Sequence, residues 1–498
     1  MKVLLVYPEF PNTFWSFKHA LKFIRKKASS PPLGLLTVAA MLPKTWEARL
    51  VDLNIEPLSA RDLEWADVAF VSAMVVQRDS ARRAIKTCKQ AGLMVVAGGP
   101  LFTAEYGGFP EVDTFVLNEA EITLPDFLSD LSRGQVKQVY QTDQFPDIHQ
   151  TPAPRWDLVN FKNYATMDLQ FSRGCPYNCE FCNITVLFGR RPRTKSAAQL
   201  IGELDDLYKL GWRGGIFFVD DNFIGNKKLL KAEILPALID WRKGKSGLSF
   251  STEVSINLAD DDELIEMMAK AGFTTVFVGI ETPDENGLVE CNKHQNTGRD
   301  LVASVKRLQR AGIQVQGGFI VGFDSDKPSI FQRQIDFIQQ SGIVSAMVGL
   351  LQAPYGTPLY RRLKAEGRIL SQLSGDNVDG TTNIIPKMDI QVLMAGYARL
   401  LEHIYAPAYF YERVITFLKE YKAPKIRVHF EMDYLYALWR SIYVLGIKGV
   451  ERAQFWKLWA WVLVHRPKLF PQAITLAIYG YHFRQICLLT SEQKQPVS

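Results

Sequence analysis

Five short, largely apolar runs punctuate the first 140 residues, at 3–7, 48–52, 68–73, 94–97 and 114–117. A strand with one wet face alternates apolar and polar side chains, whereas a strand covered on both faces does not. These runs therefore predict a parallel sheet with helices on either side, and stretches of helical spacing between them, such as 79–91, supply the cover. The result is a five-stranded doubly wound domain over 1–142. Ligands of such sheets lie outside the carboxyl ends of the strands, here the loops after Tyr7, Ala73 and Ala97.

Pro146, Pro152 and Pro154 then interrupt any periodicity, which predicts a linker over 143–163. A second series follows, with strands at 168–172, 215–219, 248–254, 275–280, 315–321 and 344–351. Helical runs such as 196–210 and 260–271 separate them. Ser196 and Asp260 suit N-caps, and Gly211 and Gly272 suit the left-handed residue after a helix. Six β/α repeats over 164–380 predict a partial β/α barrel with its active residues at the C-terminal strand ends. Beyond Thr381 the strand signals fade, so 381–498 reads as a helical C-terminal domain holding Trp439, Trp456, Trp459 and Trp461. The whole is an α/β chain with a helical end.

With 47% hydrophobic and 22% charged residues, disordered, collagen-like, coiled-coil and low-complexity classes are excluded. The net charge is +6, and the segment from Thr381 alone carries 15 Lys/Arg against 8 Asp/Glu, so the basic excess belongs to the C-terminal quarter. No nucleic-acid motif accompanies it, and nucleic acid is not an expected partner. Even the greasiest stretch, 455–464, contains Lys457, so no membrane-spanning helix is expected. The apolar run at 3–7 is too short for a signal-peptide core, so export is not expected either. Six cysteines are too few for a disulfide scaffold, and three fall within eight positions, which points to metal in a reducing cytoplasm.

Those three lie in Arg173-Gly174-Cys175-Pro176-Tyr177-Asn178-Cys179-Glu180-Phe181-Cys182, a C-x3-C-x2-C loop after the first strand of the second series. Three thiolates in so short an arc suit an iron–sulfur cubane with one iron left open. Zinc is the alternative, but it wants four ligands, and Cys88, Cys291 and Cys487 are isolated in the sequence. Asp220-Asp221-Asn222, Glu253 and Glu281 end later strands, where carboxylates and amides would meet a cation or zwitterion. Asp220 and Asp221 could equally cap the helix that follows. Arg191 and Arg193 are either carboxylate holders or an exposed basic stretch. Gly317, Gly318 and Gly322 either admit a close backbone approach or mark packing.

The spacing of these cysteines, at the mouth of a β/α barrel with an aromatic residue before the third, resembles the radical S-adenosylmethionine superfamily. The resemblance implies that Cys175, Cys179 and Cys182 ligate a [4Fe-4S] cluster that binds S-adenosylmethionine, with Phe181, Asp220, Asn222, Glu253 and Glu281 facing the latter. A doubly wound domain ahead of such a barrel is similar to the flavodoxin-like cobalamin-binding module of the superfamily's B12 subgroup. Ser72-Ala73-Met74 and Gly98-Gly99-Pro100 are similar to its S-x-L and G-G elements, so Ser72, Met74, Gly98 and Gly99 are the implied cobalamin contacts. The D-x-H-x-x-G element is missing. His19 comes too late to replace its histidine, so the corrin is expected to lack a lower axial histidine.

Tyr7-Pro8-Glu9-Phe10-Pro11, Phe14-Trp15-Ser16-Phe17, Ser30-Pro31-Pro32-Leu33-Gly34, the cluster loop and the helical end together resemble the group that includes the hopanoid C-2 methylase. This implies a cobalamin-dependent radical methyltransferase acting on an unactivated carbon of an apolar polycyclic substrate, foremost a hopanoid-type lipid. A 5′-deoxyadenosyl radical would activate the substrate and methylcobalamin would supply the methyl group. A tetrapyrrole-type cyclase or rearrangement enzyme and a non-catalytic corrinoid-binding sensor are the alternatives. Hydrogen abstraction demands no protein base, so none is assigned. The resemblance further implies a flavodoxin- or ferredoxin-type electron donor and a cytoplasmic location. Phe455, Trp456, Trp459 and Val462 to Val464, beside Lys457, Arg466 and Lys468, either touch the inner membrane face or bury their tryptophans in a helical cap.

Overall fold

The computed structural model describes residues 1–370, 372–424 and 432–492. Strands β1 (Lys2–Tyr7), β2 (Glu47–Asp52), β3 (Val68–Ser72), β4 (Met94–Gly98), β5 (Thr114–Val116) and β6 (Val139–Tyr140) form one parallel sheet, ordered β2-β1-β3-β4-β5-β6. Its runs are apolar throughout because successive residues enter opposite cores. Leu4 and Val6 join Val71 and Val95 on one face, while Val3 and Leu5 join Phe70 and Val96 on the other. The sheet has six strands rather than the five expected, since β6 is two residues long and too short to show a period.

Next along the chain come β7 (Thr166–Leu169), the antiparallel pair β8 (Ser172–Arg173) and β9 (Arg193–Thr194), and then β10 (Gly215–Phe218) and β11 (Ser249–Val254). Strands β12 (Phe273–Glu281), β13 (Gln314–Val321) and β14 (Ala346–Leu350) complete the series. β7 and β10 to β14 form a six-stranded parallel sheet in chain order, the expected partial barrel. The strand expected at 168–172 is split. It leaves the sheet after Leu169, because the Asp220 carboxylate accepts the Phe171 and Ser172 N–H groups, and re-pairs with β9.

Ser196 caps Ala197–Lys209 with a reciprocal Gln199 bond, as the pattern predicts. The helix Asp262–Ala271 is capped by Asp261, not Asp260, which instead holds Arg299 in a bidentate pair. Gly317 and Gly318 mark packing: a Cβ on Gly318 would come within 2.7 Å of the Phe277 ring. The residues read as a linker are docked, with Trp156 buried and Arg155 N–H bonded to Leu36 O.

The C-terminal helices Ile390–Tyr405, Pro407–Glu420, Arg452–His465 and Phe470–Glu492 share one core with the barrel. The Tyr397 and Tyr405 hydroxyls donate to Val348 O and Ala346 O, which fixes this cap to β14. Phe455 and Val462 are fully buried and Trp459 packs on Phe470, so one face of that segment caps the core, while Trp456 and Val464 are exposed. Among the described residues no helix is long and apolar enough to cross a membrane.

Candidate active site at the junction of the two sheets

The cysteine loop is fixed before any ligand is considered. Gly174 takes φ +92°, and a Cβ there would press on three carbonyl oxygens at 3.0 Å, those of Phe188, Gly189 and Arg191. Cys175 N–H donates to Gly189 O, Cys182 N–H to Cys179 O and Glu180 N–H to Cys291 O. The Glu180 carboxylate pairs bidentately with Arg362 at 2.7 and 3.0 Å, anchoring the loop to the helix Pro358–Ala365. Burial raises the Cys175 thiol and pushes Cys182 up to about 12, and Cys179 acts electrostatically on both. Thiolates here therefore need a bound cation to hold their charge.

Asp220, Asp221 and Asn222 serve the loop from below. Besides the bonds of Asp220 to Phe171 and Ser172, Asp221 accepts Gly174 N–H at 3.2 Å, and Asn222 accepts Ser255 N–H at 3.2 Å, tying β10 to β11. Burial lifts Asp220 to about 7 and Asp221 to about 6. The Asp220 carboxylate is spent on the protein, whereas the Glu253 carboxyl makes no hydrogen bond among the described residues. Its carboxyl is pushed up to about 8 by burial, with Asp221 adding to the rise and Lys293 opposing it.

Glu281 closes β12 with φ +65°, a conformation that costs a non-glycine residue about 1 kcal/mol or more and is held here by contacts. Its carboxylate accepts Lys293 Nζ at 2.6 Å, both side chains being buried. A Cβ on Gly279 would collide with both groups. Lys293, in turn, acts on Cys175 and Cys182. Beside it, Gln295 Nε2 lies 3.8 Å from Cys179 Sγ, and its buried Oε1 has no partner among the described residues. Phe181 packs on Phe323 with ring centroids 6.5 Å apart.

The carboxyl edge of the first sheet faces this loop. Ser72 ends β3 and Met74 follows it, while Gly98 ends β4 and Gly99 follows. A Cβ on Gly98 would sit 2.6 Å from Val116 O, and one on Gly99 2.5 Å from Ser72 Oγ, so packing requires both glycines as well as the turn. Gln77 staples two of these loops, donating to Pro8 O at 2.5 Å and accepting Met74 N–H at 2.8 Å. The Met74 side chain is left half exposed. His19 lies on the helix Lys18–Leu21 beside His482 of the C-terminal helix, not among these loops.

Two contacts join the edges. Trp15 reaches the barrel, its ring 5.4 Å from Phe277 and its N–H on Met347 Sδ. Glu119, just after β5, pairs with Arg173 at 2.6 Å and Arg193 at 2.7 Å, while Glu121 pairs with Arg173 at 2.8 Å. Arg193 thus holds a carboxylate of the protein itself, and Arg191 is exposed. The sequence offered no sign of Glu119, Glu121, Gln77, Lys293 or Gln295 beyond polar residues near strand ends.

The donor set fits the groups that the sequence suggests. It comprises three loop thiols, an unpartnered amide oxygen beside Cys179, an open carboxyl at Glu253 and a buried ammonium at Lys293. Among the described residues no three His, Cys, Asp or Glu side chains converge as a single-ion site. A zinc ion gathers its ligands at one point, whereas a cubane spreads three thiolates over three irons. S-adenosylmethionine affinity is expected to rise toward about tenfold per pH unit below pH 8. On the assignment of Glu253 to S-adenosylmethionine that the resemblance implies, its carboxyl must lose its proton to meet a cationic amine, and the ionised fraction grows as pH approaches its pKa from below. Equilibrium dialysis checks this, with Glu253→Gln giving a flat, weaker profile.

Family profiles match three stretches of the chain: a B12 binding domain over 25–128, the radical SAM superfamily over 169–338 and a domain of unknown function over 357–496. The chain is 41% identical to an uncharacterized methyltransferase of Synechocystis sp., over 97% of this chain and 92% of that protein. It is 34% identical to the hopanoid C-2 methylase of Rhodopseudomonas palustris, over 92% and 88%. Its fold is similar to the cobalamin-dependent S-adenosylmethionine radical enzyme OxsB, with a TM-score of 0.62 at 14% identity, covering 99% of this chain and 80% of that one.

Proposed function

The chain belongs to the cobalamin-dependent radical S-adenosylmethionine methyltransferases, and from that premise we propose that it methylates an unactivated carbon of a hopanoid-type polycyclic lipid. The observation that carries the substrate reading is the 34% identity to a hopanoid C-2 methylase across 92% of the chain. Likeness to a bacteriochlorophyllide methyltransferase is 25% over 68%. The cofactors of the family are a [4Fe-4S] cluster, S-adenosylmethionine and cobalamin. When bound they supply a carbon-centred radical for hydrogen abstraction and a methyl group for transfer.

In this reading 1–142 carries the corrin on Ser72, Met74, Gly98 and Gly99, and 164–380 carries the cluster on Cys175, Cys179 and Cys182. Residues 143–163 join the two, and 381–498 covers the barrel. Glu253, Glu281 and Asn222 face S-adenosylmethionine with Phe181 against its adenine, and Asp220 holds the loop that presents it. The chain's own work is positioning and exclusion of water, since no side chain need move a proton. An electron donor of flavodoxin or ferredoxin type completes the system, and a lipid substrate places the enzyme at the inner face of a membrane.

Deleting the gene is expected to remove lipids heavier by one methylene than their precursors, detected by mass spectrometry. Wild type should restore them and Cys175→Ala should not. If no lipid changes, the hopanoid reading is overturned. In a purified assay, 5′-deoxyadenosine without S-adenosylhomocysteine would instead indicate cyclisation.

A further inference from the structure

The helix Met432–Ser441 continues through a π-helical turn, Ile442–Lys448, and is apolar on two opposite faces. Ala437, Ser441 and Leu445 are buried against the body. On the other face Met432, Leu435, Trp439, Tyr443, Ile447 and Val450 recur at steps of three or four residues and form one exposed stripe. Trp439 is 62% exposed, Ile447 58% and Val450 89%. The Trp439 and Tyr443 rings lie parallel 6.0 Å apart, so the stripe is continuous across the turn. A helix apolar on both sides needs a second partner, and one face of this one has none among the described residues.

The charges beside the stripe indicate that partner. Lys448 lies over the Tyr443 ring at 4.6 Å, and the exposed Arg452 and Lys457 follow the stripe, while Arg440 turns inward over the Phe23 ring. Of the nearby acids among the described residues, Glu451 is buried against Arg484, which leaves Asp433. A second copy of the chain would set these cations against one another, whereas an anionic bilayer pairs with them. Aromatic side chains between an apolar stripe and Lys/Arg are the composition of an element lying in the membrane interface.

We propose that the exposed stripe from Met432 to Val450 docks the enzyme on the surface of an anionic lipid bilayer. The proposal deepens the lipid reading, since it brings the barrel to where such a substrate resides. It is tested apart from that reading because the vesicles below contain no polycyclic lipid. Holoenzyme is floated with vesicles of phosphatidylglycerol and phosphatidylcholine in equal parts, and with phosphatidylcholine alone.

Wild type is expected to float at least about fivefold more with the anionic vesicles, and less at high salt. Trp439→Ser with Ile447→Ser and Val450→Ser should fall to background. Lys448→Glu with Arg452→Glu should lose the anionic preference. Both variants should cleave S-adenosylmethionine at the wild-type rate, which shows that they are folded. Flotation that is absent in wild type or unchanged in both variants overturns the proposal. So does light scattering that finds a wild-type dimer abolished by the apolar variant, which would make the stripe a contact between copies.

Discussion

Cys179→Ala is expected to purify with less than about one iron per chain and to form neither 5′-deoxyadenosine nor methylated product, while Cys291→Ala keeps a full cluster and most of its activity. The pair matters because the fold brings a fourth thiol to the loop. Cys291 is isolated in the sequence, yet its carbonyl accepts Glu180 N–H and its thiol responds to the charge of Cys179. Its Sγ, however, faces Leu288 O at 3.6 Å and packs behind the loop with Phe181 and Leu359. Burial raises this thiol strongly. Three ligands leave an iron open for S-adenosylmethionine, whereas four would close the site. Metal analysis and paramagnetic resonance of the two variants decide the matter. Loss of metal in Cys291→Ala would establish a four-thiolate site and remove the radical chemistry from this loop.

The contrast between Cys179 and Cys291 marks where the sequence is legible. The cysteine loop could be read because Cys175, Cys179 and Cys182 lie within eight positions, and spacing alone constrains them. The sheets could be read because burial on both faces imprints an apolar run, as at Val3 to Val6, whichever helices provide the cover. What escaped depends on contacts between distant segments. The break after Leu169 is made by Asp220, about fifty residues on, and no local pattern at 168–172 announces it. Lys293 reaches Glu281 only because the chain turns back after β12. Asp260 and Asp261 are equivalent as letters, and the choice of cap falls to Asp261 because Arg299 holds its neighbour. The C-terminal helices illustrate a related limit. Their periodicity marks apolar faces at 432–448 and 455–462 alike, but only packing shows that Phe455, Leu458 and Val462 turn inward while the face carrying Leu435, Trp439, Tyr443 and Ile447 is exposed.

Glu119→Ala is expected to separate radical formation from methyl transfer. Glu119 is 3% exposed and bridges Arg173, which stands two residues before Cys175, to Arg193 on the strand that closes the same loop. Its own backbone follows β5, at the edge assigned to the corrin. Removing it leaves Arg193 buried against the Phe145 ring and two carbonyls, with no carboxylate, while Arg173 keeps Glu121. Breaking one side of a buried pair costs about 3 to 5 kcal/mol, and here that cost falls on the register between the two sheets. The cluster loop retains its ties to Asp220, Asp221 and Arg362, so S-adenosylmethionine cleavage should continue. The ratio of 5′-deoxyadenosine to methylated product should rise by about tenfold or more, because methyl transfer depends on placement to within about 1 Å. Glu119→Gln, which keeps the shape but not the charge, should fall between. Since the pair is buried, the wild-type ratio should not move with ionic strength. If cleavage and methylation fell together in proportion to folded protein, Glu119 would be a stabilising residue and the two sheets would owe their alignment to Trp15 and the docked 143–163 segment instead.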